Sequence, residues 1–364
     1  MSELKRTVLY QAHLDAGATM VDFGGWDMPI QYPDGIVAEH LYCRRHCGIF
    51  DVSHMGRIDV EGRDMVAFLQ HVLSSNVLAL DLNQAQYCII PDANGCAIDD
   101  AYLYRFEEGK YFLVINAGNI DKDWAHLTVE AKSFDVRLTN VSDKYAAIAV
   151  QGPESKKILM TLAGGRQLTP ENVKNALNSL TMEGKPVRIA KTGYTGEPIG
   201  YELYCRSEDA RYFWDRLIEL GAKPTALGAR DTTRMEAALP LYGHEMGECE
   251  MGGEIQIYAV PLAKFAVSFA PEKGDFIGRE PLKKQFEAFK KIMNRDYSAI
   301  GDLPYRIQPI YLEGKGVLRK GFPIYCKDAW AEGKQIGYVT SGTMIPYYKT
   351  KGEGLESVFT DETG

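Results

Sequence analysis

Residues 87–116 read YCIIPDANGCAIDDAYLYRFEEGKYFLVIN, and the reading of this stretch decides the fold class. Asn94-Gly95 and Glu108-Gly109 carry turn chemistry between apolar runs, which predicts strand, turn, strand, turn, strand: an antiparallel meander. The middle strand opens on Asp99-Asp100. Neighbours on a strand point to opposite faces, so both carboxylates cannot be ordinary surface charges if the sheet is covered on one side. The inward one needs a partner, since an uncompensated buried charge takes up a proton. Held in a cleft, such a carboxylate can attract or orient an amine, or relay its proton. A solvated turn residue beside a salt-bridged one fits these two positions equally well.

Outward from the meander, residues 6–16 predict an amphipathic helix. MVDFGGWDMPIQY (20–32) predicts a shaped loop carrying Trp26, because Gly24-Gly25 and Pro29 oppose a continuous helix. Helices are expected over 35–46, 64–73, 122–132, 209–221, 225–238 and 281–293. Strands are expected within GIFDVSHMGRIDVEG (48–62), over 135–138, and in KYAAIAVQGPES (144–155). VRIAKTGYTGEPIGYELYC (187–205) predicts a second hairpin interrupted by a glycine-rich loop. Over 306–339 the texture becomes short extended pieces punctuated by Gly314, Gly316, Gly321 and Gly337, an all-β signal that puts a domain boundary near 270–300. Helices mixed with antiparallel strands indicate α+β rather than a regular βαβ series.

The chain has 364 residues, more than one ordinary core holds, and 45% apolar and 25% charged residues fit a folded protein of two or three domains. With 41 basic and 49 acidic residues the net charge is -8, which repels a nucleic-acid backbone, and Lys283-Lys284 and Lys290-Lys291 read as the solvated face of a helix. The opening MSELKRTVLYQAHLDAG lacks a secretory signature, and no run of 18 uncharged apolar residues occurs, so no membrane partner is expected and the cytoplasm is the expected compartment. Seven cysteines at irregular spacing also suit a reducing compartment.

Two further segments carry candidate chemistry. In KTGYTGEPIGYELY (191–204) glycines and a proline shape the backbone, tyrosines supply flat faces, and Glu202 can accept paired N–H donors from a planar heterocycle. A tight hairpin with packed aromatics fits as well. In ALGARDTTRMEAALPLYG (226–243) Arg230 follows Gly228 at a helix start, where it can hold a ligand carboxylate bidentately. A surface ion network of Asp231, Arg234 and Glu236 is the other reading. CRRHC (43–47) lacks zinc-site spacing and predicts core or partly exposed thiols. There is no G-x-S-x-G, no strand-linked G-x-G-x-x-G and no Walker A sequence.

Taken together and in order, MVDFGGWDMPIQY, GIFDVSHMGRIDVEG, NGCAIDDAYLYR, AVQGPES, KTGYTGEPIGYELY, LGARDTTRMEAALPLYG, DFIGRE, GFPIYC and IGYVTSGT resemble the aminomethyltransferase family, the T-protein of the glycine cleavage system. The resemblance implies three domains in a ring around a central folate pocket. The first takes residues 1–52 and 138–265. A ferredoxin-like or related antiparallel αβ domain is inserted over 53–137, 266–300 form a connecting helical segment, and 301–364 form a β-rich end, either complete or cut short. It implies tetrahydrofolate as acceptor and a transient partner, the H-protein, whose lipoyl arm carries the aminomethyl group. Ammonia and 5,10-methylenetetrahydrofolate would be the products. The family's essential aspartate falls on Asp100, which would face the folate ring while Asp99 turns to the opposite side. The pterin-binding glutamate falls on Glu202 and the folate-contacting arginine on Arg230, with Tyr87 and Tyr194 lining the cavity and Asp99, as the neighbour of Asp100, counted with the cofactor-binding set.

The chain also departs from the family pattern. Gly95-Cys96 replaces the usual glycine pair, Phe265 stands where tryptophan is common, and the usual further strands do not follow SGTMIPYYK. These departures keep two alternatives open: a folate-dependent demethylase or methyltransferase acting on a small methylated amine or thioether, and a noncatalytic folate-binding protein.

Overall fold

The computed structural model describes residues 3–328, 332–352 and 358–364. They form two units, one of Met1–His54, Ser142–Leu239 and Met344–Gly364, the other of Met55–Val141 and Pro240–Thr343.

The first unit is built on a six-stranded sheet in the order Leu177–Met182, Lys185–Ala190, Gly200–Arg206, Tyr145–Gln151, Gly48–Asp51, Lys223–Pro224. All its pairs are antiparallel except the last. Alternate residues such as Ile148, Val150, Ile189 and Leu203 enter one core with Phe213, Trp214 and Leu217 of the helix Ala210–Glu219. This is the period-2 and period-3.6 matching that buries one face of each element. The expected hairpin over 187–205 is present as Lys185–Ala190 paired with Gly200–Arg206. The loop expected over 20–32 is instead a hairpin, Thr19–Phe23 with Trp26–Gln31. Gly24 and Gly25 take φ of 58° and 85°, the left-handed pair that a two-residue hairpin turn requires. Pro29 is tolerated because the ribbon has only two strands, with its register shifting between Thr19 and Met20.

The second unit holds the meander. Its five-stranded antiparallel sheet runs Gln84–Pro91, Ala97–Glu107, Lys110–Ile115, Gly56–Glu61, Arg137–Asn140. Leu103, Leu113 and Ile115 pack with Phe68 and Leu69 of the helix Met65–Val72 and with Leu127 of Ile120–Ala131. Ile89 and Ala97 enter a second core with Tyr258 and with Leu282 and Ala288 of the helix Arg279–Met293. Buried Lys273 closes the end of Met65–Val72: its Nζ donates to the carbonyl of Leu73 at 2.7 Å and also to that of Gln70, satisfying carbonyls left over at a helix C-terminus.

Helices lie close to the expected places, at Gly35–Arg45, Met65–Val72, Ile120–Ala131, Leu227–Glu236 and Arg279–Met293, while the first is shorter, Tyr10–Asp15. The strand expected over 135–138 lies at Arg137–Asn140. Within 306–339 the extended pieces pair in one short hairpin, Pro323–Tyr325 with Gln335–Tyr338. A second, Tyr348–Lys351 with Val358–Thr363, follows. Residues 329–331 and 353–357 of the expected β-rich end lie outside the described residues.

Candidate active site

In the second unit the turn before the two aspartates is tightly held. Asp92 Oδ1 accepts from the backbone N–H of Asn94 at 2.9 Å and of Cys96 at 2.8 Å, and Gln285 donates to the Gly95 carbonyl at 2.8 Å. Gly95 has φ of 77°, and a Cβ there would come within 3.0 Å of Pro281 and Gln285, so the turn tolerates little besides glycine.

The register that follows sets Asp99 opposite Ile90 and Asp100 opposite Ile89, whose side chains enter different cores. The two carboxylates therefore leave the strand on opposite faces. Both are nonetheless buried, at 0% and 8% exposure. Asn116, just past the neighbouring strand, joins them at its end: its side-chain amide donates to Asp99 Oδ1 at 2.8 Å and to Asp100 Oδ1 at 2.7 Å. Asp99 also accepts from the Asn116 backbone N–H at 2.9 Å and from Asn119 Nδ2 at 2.6 Å. Asp100 Oδ2 accepts from the Tyr87 hydroxyl at 2.9 Å.

Burial, and then the negative charge of Asp99, push the Asp100 pKa up to about 7, against the hydrogen bonds from Tyr87 and Asn116. A carboxylate in that range gives and takes a proton near neutral pH, which suits a general base or acid.

In the first unit Glu202 lies between Ala190 and Ala149 on neighbouring strands. Its Oε2 accepts from Thr192 Oγ1 at 2.5 Å and from the Tyr204 hydroxyl at 3.3 Å. Arg230 stands in the first turns of Leu227–Glu236, half-buried. Burial lowers its pKa, while the electrostatic pull of Glu202, Tyr204 and Tyr194 raises it. Those interactions group Glu202, Arg230 and Tyr194 in one neighbourhood.

The supports of this neighbourhood went unseen in the sequence. Glu39, buried on the helix Gly35–Arg45, caps Leu227–Glu236 by accepting from the Ala226 N–H at 2.7 Å. Gln151 accepts from Thr195 Oγ1 at 2.6 Å and donates to the Tyr201 carbonyl at 3.0 Å, tying the middle of the glycine-rich loop to the strand that follows it. A Cβ at Gly200 would fall 2.1 Å from Gln151 Oε1. Arg44, from the rejected CRRHC segment, donates to Glu236 at 2.7 Å, to the Gly196 carbonyl at 2.9 Å and to the Thr233 carbonyl at 3.1 Å, and pairs with Glu197. Cys43 and Cys47 are buried core thiols. Phe265, in contrast, is 73% exposed. Among the described residues, no group of three or more His, Cys, Asp or Glu is placed to hold a metal ion, and no helix is long and apolar enough to cross a membrane.

Asn116, Asn119, Gln151 and Arg44 carried one weak local signal each. An asparagine after a strand reads as a turn, and an arginine near a helix end reads as a solvated charge. Their partners lie 16 to 192 positions away in sequence, which no local pattern reports.

Comparison with known proteins gives one consistent result. The family model described as GCVT N-terminal domain matches residues 9–258. An aminomethyltransferase of Deinococcus deserti is 41% identical over 347 residues, covering 94% of this chain and 86% of that protein. One from Thermus thermophilus is 40% identical over 359 residues, covering 99% and 92%. Among solved structures, the glycine cleavage system aminomethyltransferase T from Bartonella henselae has a TM-score of 0.71 at 29% identity, covering 94% of this chain and 86% of that one. The chain belongs to the GCVT family of aminomethyltransferases.

Proposed function

We propose that the chain transfers the methylene carbon of an aminomethyl group, carried on the dihydrolipoyl arm of H-protein, to tetrahydrofolate. The observation that carries this reading is family membership over nearly the whole chain, and the burial of Asp100 at the Asn116 bridge supports it. The carbon loses its bonds to sulfur and to nitrogen and gains bonds to the two folate nitrogens. The two folate N–H protons end on sulfur and on ammonia, and 5,10-methylenetetrahydrofolate is formed. The family's three-domain arrangement and central folate pocket are part of the proposal.

Asp100 acts on the reacting centre. Its carboxylate orients the folate amine, offsets positive charge developing on the methylene carbon and accepts the proton released as nitrogen attacks. Tyr87 and Asn116 hold one oxygen each, so that the charge is preorganised rather than assembled during reaction. Glu202 accepts N–H donors of the pterin, and Arg230 holds the p-aminobenzoyl-glutamate portion. Tyr87 and Tyr194 complete the folate-binding set and Asp99 supports it through Asn116, as positioning rather than bond-making groups.

Two donors separate this reading from its nearest competitor. Aminomethylated H-protein with tetrahydrofolate is expected to give ammonia and 5,10-methylenetetrahydrofolate. A small methylated amine or thioether yielding 5-methyltetrahydrofolate, with H-protein inert, would instead establish a demethylase or methyltransferase. Arg230→Ala is expected to weaken tetrahydrofolate binding about 10- to 100-fold, as loss of a charged hydrogen-bond donor does. Its single-turnover rate at saturating folate is expected to stay within about threefold of wild type, since uniform binding is lost and not transition-state binding. Titration calorimetry and rapid quench measure the two quantities.

A further inference from the structure

Asp123 has no role in the chemistry above, yet it is fully buried in the first turn of Ile120–Ala131. Neither of its carboxyl oxygens accepts a hydrogen bond from an N–H or O–H donor among the described residues. Asp99 sits at the start of the same helix, where its Oδ1 accepts from Asn119 Nδ2 at 2.6 Å, Asn119 being the N-cap four positions before Asp123, and its charge acts on Asp123.

Two buried carboxyl groups at one helix start cannot both be ionised, whereas one proton between them makes a strong charge-assisted hydrogen bond. The surroundings say which of the two carries it. Both oxygens of Asp99 are already committed as acceptors, Oδ2 to the Asn116 N–H and Oδ1 to the side-chain amides of Asn116 and Asn119. Asp123 has no such donors. The charged groups facing it are Asp99 and Asp100 from the neighbouring strand and Lys122 from its own helix. Lys122 is engaged elsewhere, with its Nζ donating to the Ile98 carbonyl at 2.6 Å and the Tyr242 hydroxyl at 2.8 Å. Burial, and then repulsion from Asp99, move the Asp123 pKa far above the ordinary carboxylate range.

We propose that Asp123 is a positioning residue that keeps its proton and donates it to Asp99, fixing the chain Asp123–Asp99–Asn116–Asp100 in a single arrangement. Donation runs one way through the first link, and the two Asn116 amide hydrogens are then divided between Asp99 and Asp100. An ionised Asp123 would repel Asp99, loosen its hold on Asn116 and so free the amide that fixes Asp100. The inference rests on the reading that Asp100 acts in the transfer, but the protonation of Asp123 is measurable without it.

Infrared difference spectra of ligand-free wild type against Asp123→Asn at neutral pH test the proton directly. The expected result is a protonated-carboxyl C=O band in wild type that the variant lacks, and its absence overturns the proposal. In turnover, Asp123→Leu is expected to lower kcat about tenfold through loss of one hydrogen bond. Asp123→Asn, which restores a neutral N–H donor, is expected to recover most of that loss, with the acid limb of its kcat profile at the wild-type pH. An Asn variant as slow as the Leu variant overturns the proposal. So does an acid limb displaced to lower pH, which removal of a real negative charge near Asp100 would cause. If Asp123→Leu does not fold, the spectrum and the acid limb of Asp123→Asn decide. A band present together with a fully active Asp100→Asn enzyme would refute the role of Asp100 and leave the proton on Asp123 standing.

Discussion

Asp100→Asn is expected to slow methylene transfer by about two to three orders of magnitude, the usual effect of removing one preorganised electrostatic group from a reacting centre. Tetrahydrofolate affinity is expected to change by less than about threefold, because the shape of the side chain is kept. Asparagine can still accept from Asn116 Nδ2, which lies 2.7 Å from Asp100 Oδ1, but it can neither take a proton nor offset positive charge. Single-turnover quench and calorimetric folate titration read the two effects separately. Unchanged transfer would remove Asp100 from the chemistry.

The same substitution carries a stability signature of opposite sign. A carboxyl whose folded pKa is raised contributes stability below its unfolded value, and that stability is lost as pH rises through the folded value. For Asp100 the loss runs from about pH 4 to about pH 7. Asp100→Asn does not ionise, so it is expected to unfold at higher temperature than wild type at pH 8, with the difference closing below about pH 4. An active-site group that costs stability and sustains rate is the trade expected at a functional site.

The largest stability loss is expected in the first unit, from Asp51→Ala, at about 3–5 kcal/mol. Asp51 is buried and accepts from His13 Nε2 at 3.0 Å, Thr7 Oγ1 at 2.6 Å and the Ser53 N–H at 2.9 Å. His13 in turn meets the Tyr32 hydroxyl at 2.9 Å and sits edge-on to Trp214. Alanine would remove the acceptor that these donors share inside the core, the costly way to break a buried polar network. Burial works to raise the Asp51 pKa, but the hydrogen bond and electrostatic pull of His13, with Thr7 and Ser53, outweigh it and bring it to about 2. Here the folded pKa is depressed, so its stability is present above the unfolded value and lost as pH falls from about 4 toward 2. Urea unfolding at neutral pH checks the magnitude, and a loss below about 1 kcal/mol would contradict the network's weight.

The meander and the amphipathic helices were legible because their signals are local. Asn94-Gly95 and Glu108-Gly109 name their turns, and the helices Met65–Val72 and Arg279–Met293 announce a buried stripe. The hairpin over 20–32 was misread for a definite reason: Pro29 and two adjacent glycines signal irregular backbone, whereas in a two-stranded ribbon the proline is harmless and the glycines are the turn. Asp99 and Asp100 stand out in the sequence as adjacent carboxylates, but alternation along a strand says only that they part company. It does not say that Asn116, 16 residues from Asp100, reunites them, or that Asp123 lies behind Asp99. Such contacts come from strand order and helix packing, which one sequence does not display.

The pH dependence of single-turnover methylene transfer, with folate saturating, tests the central claim most directly. If Asp100 is the buried carboxylate that must be ionised to act, the wild-type rate rises with pH along an acid limb near 7, well above the ordinary carboxylate range, and the residual rate of Asp100→Asn lacks that limb. A wild-type rate that is flat from about pH 5 to about pH 9, or a limb that persists unmoved in Asp100→Asn, would contradict it.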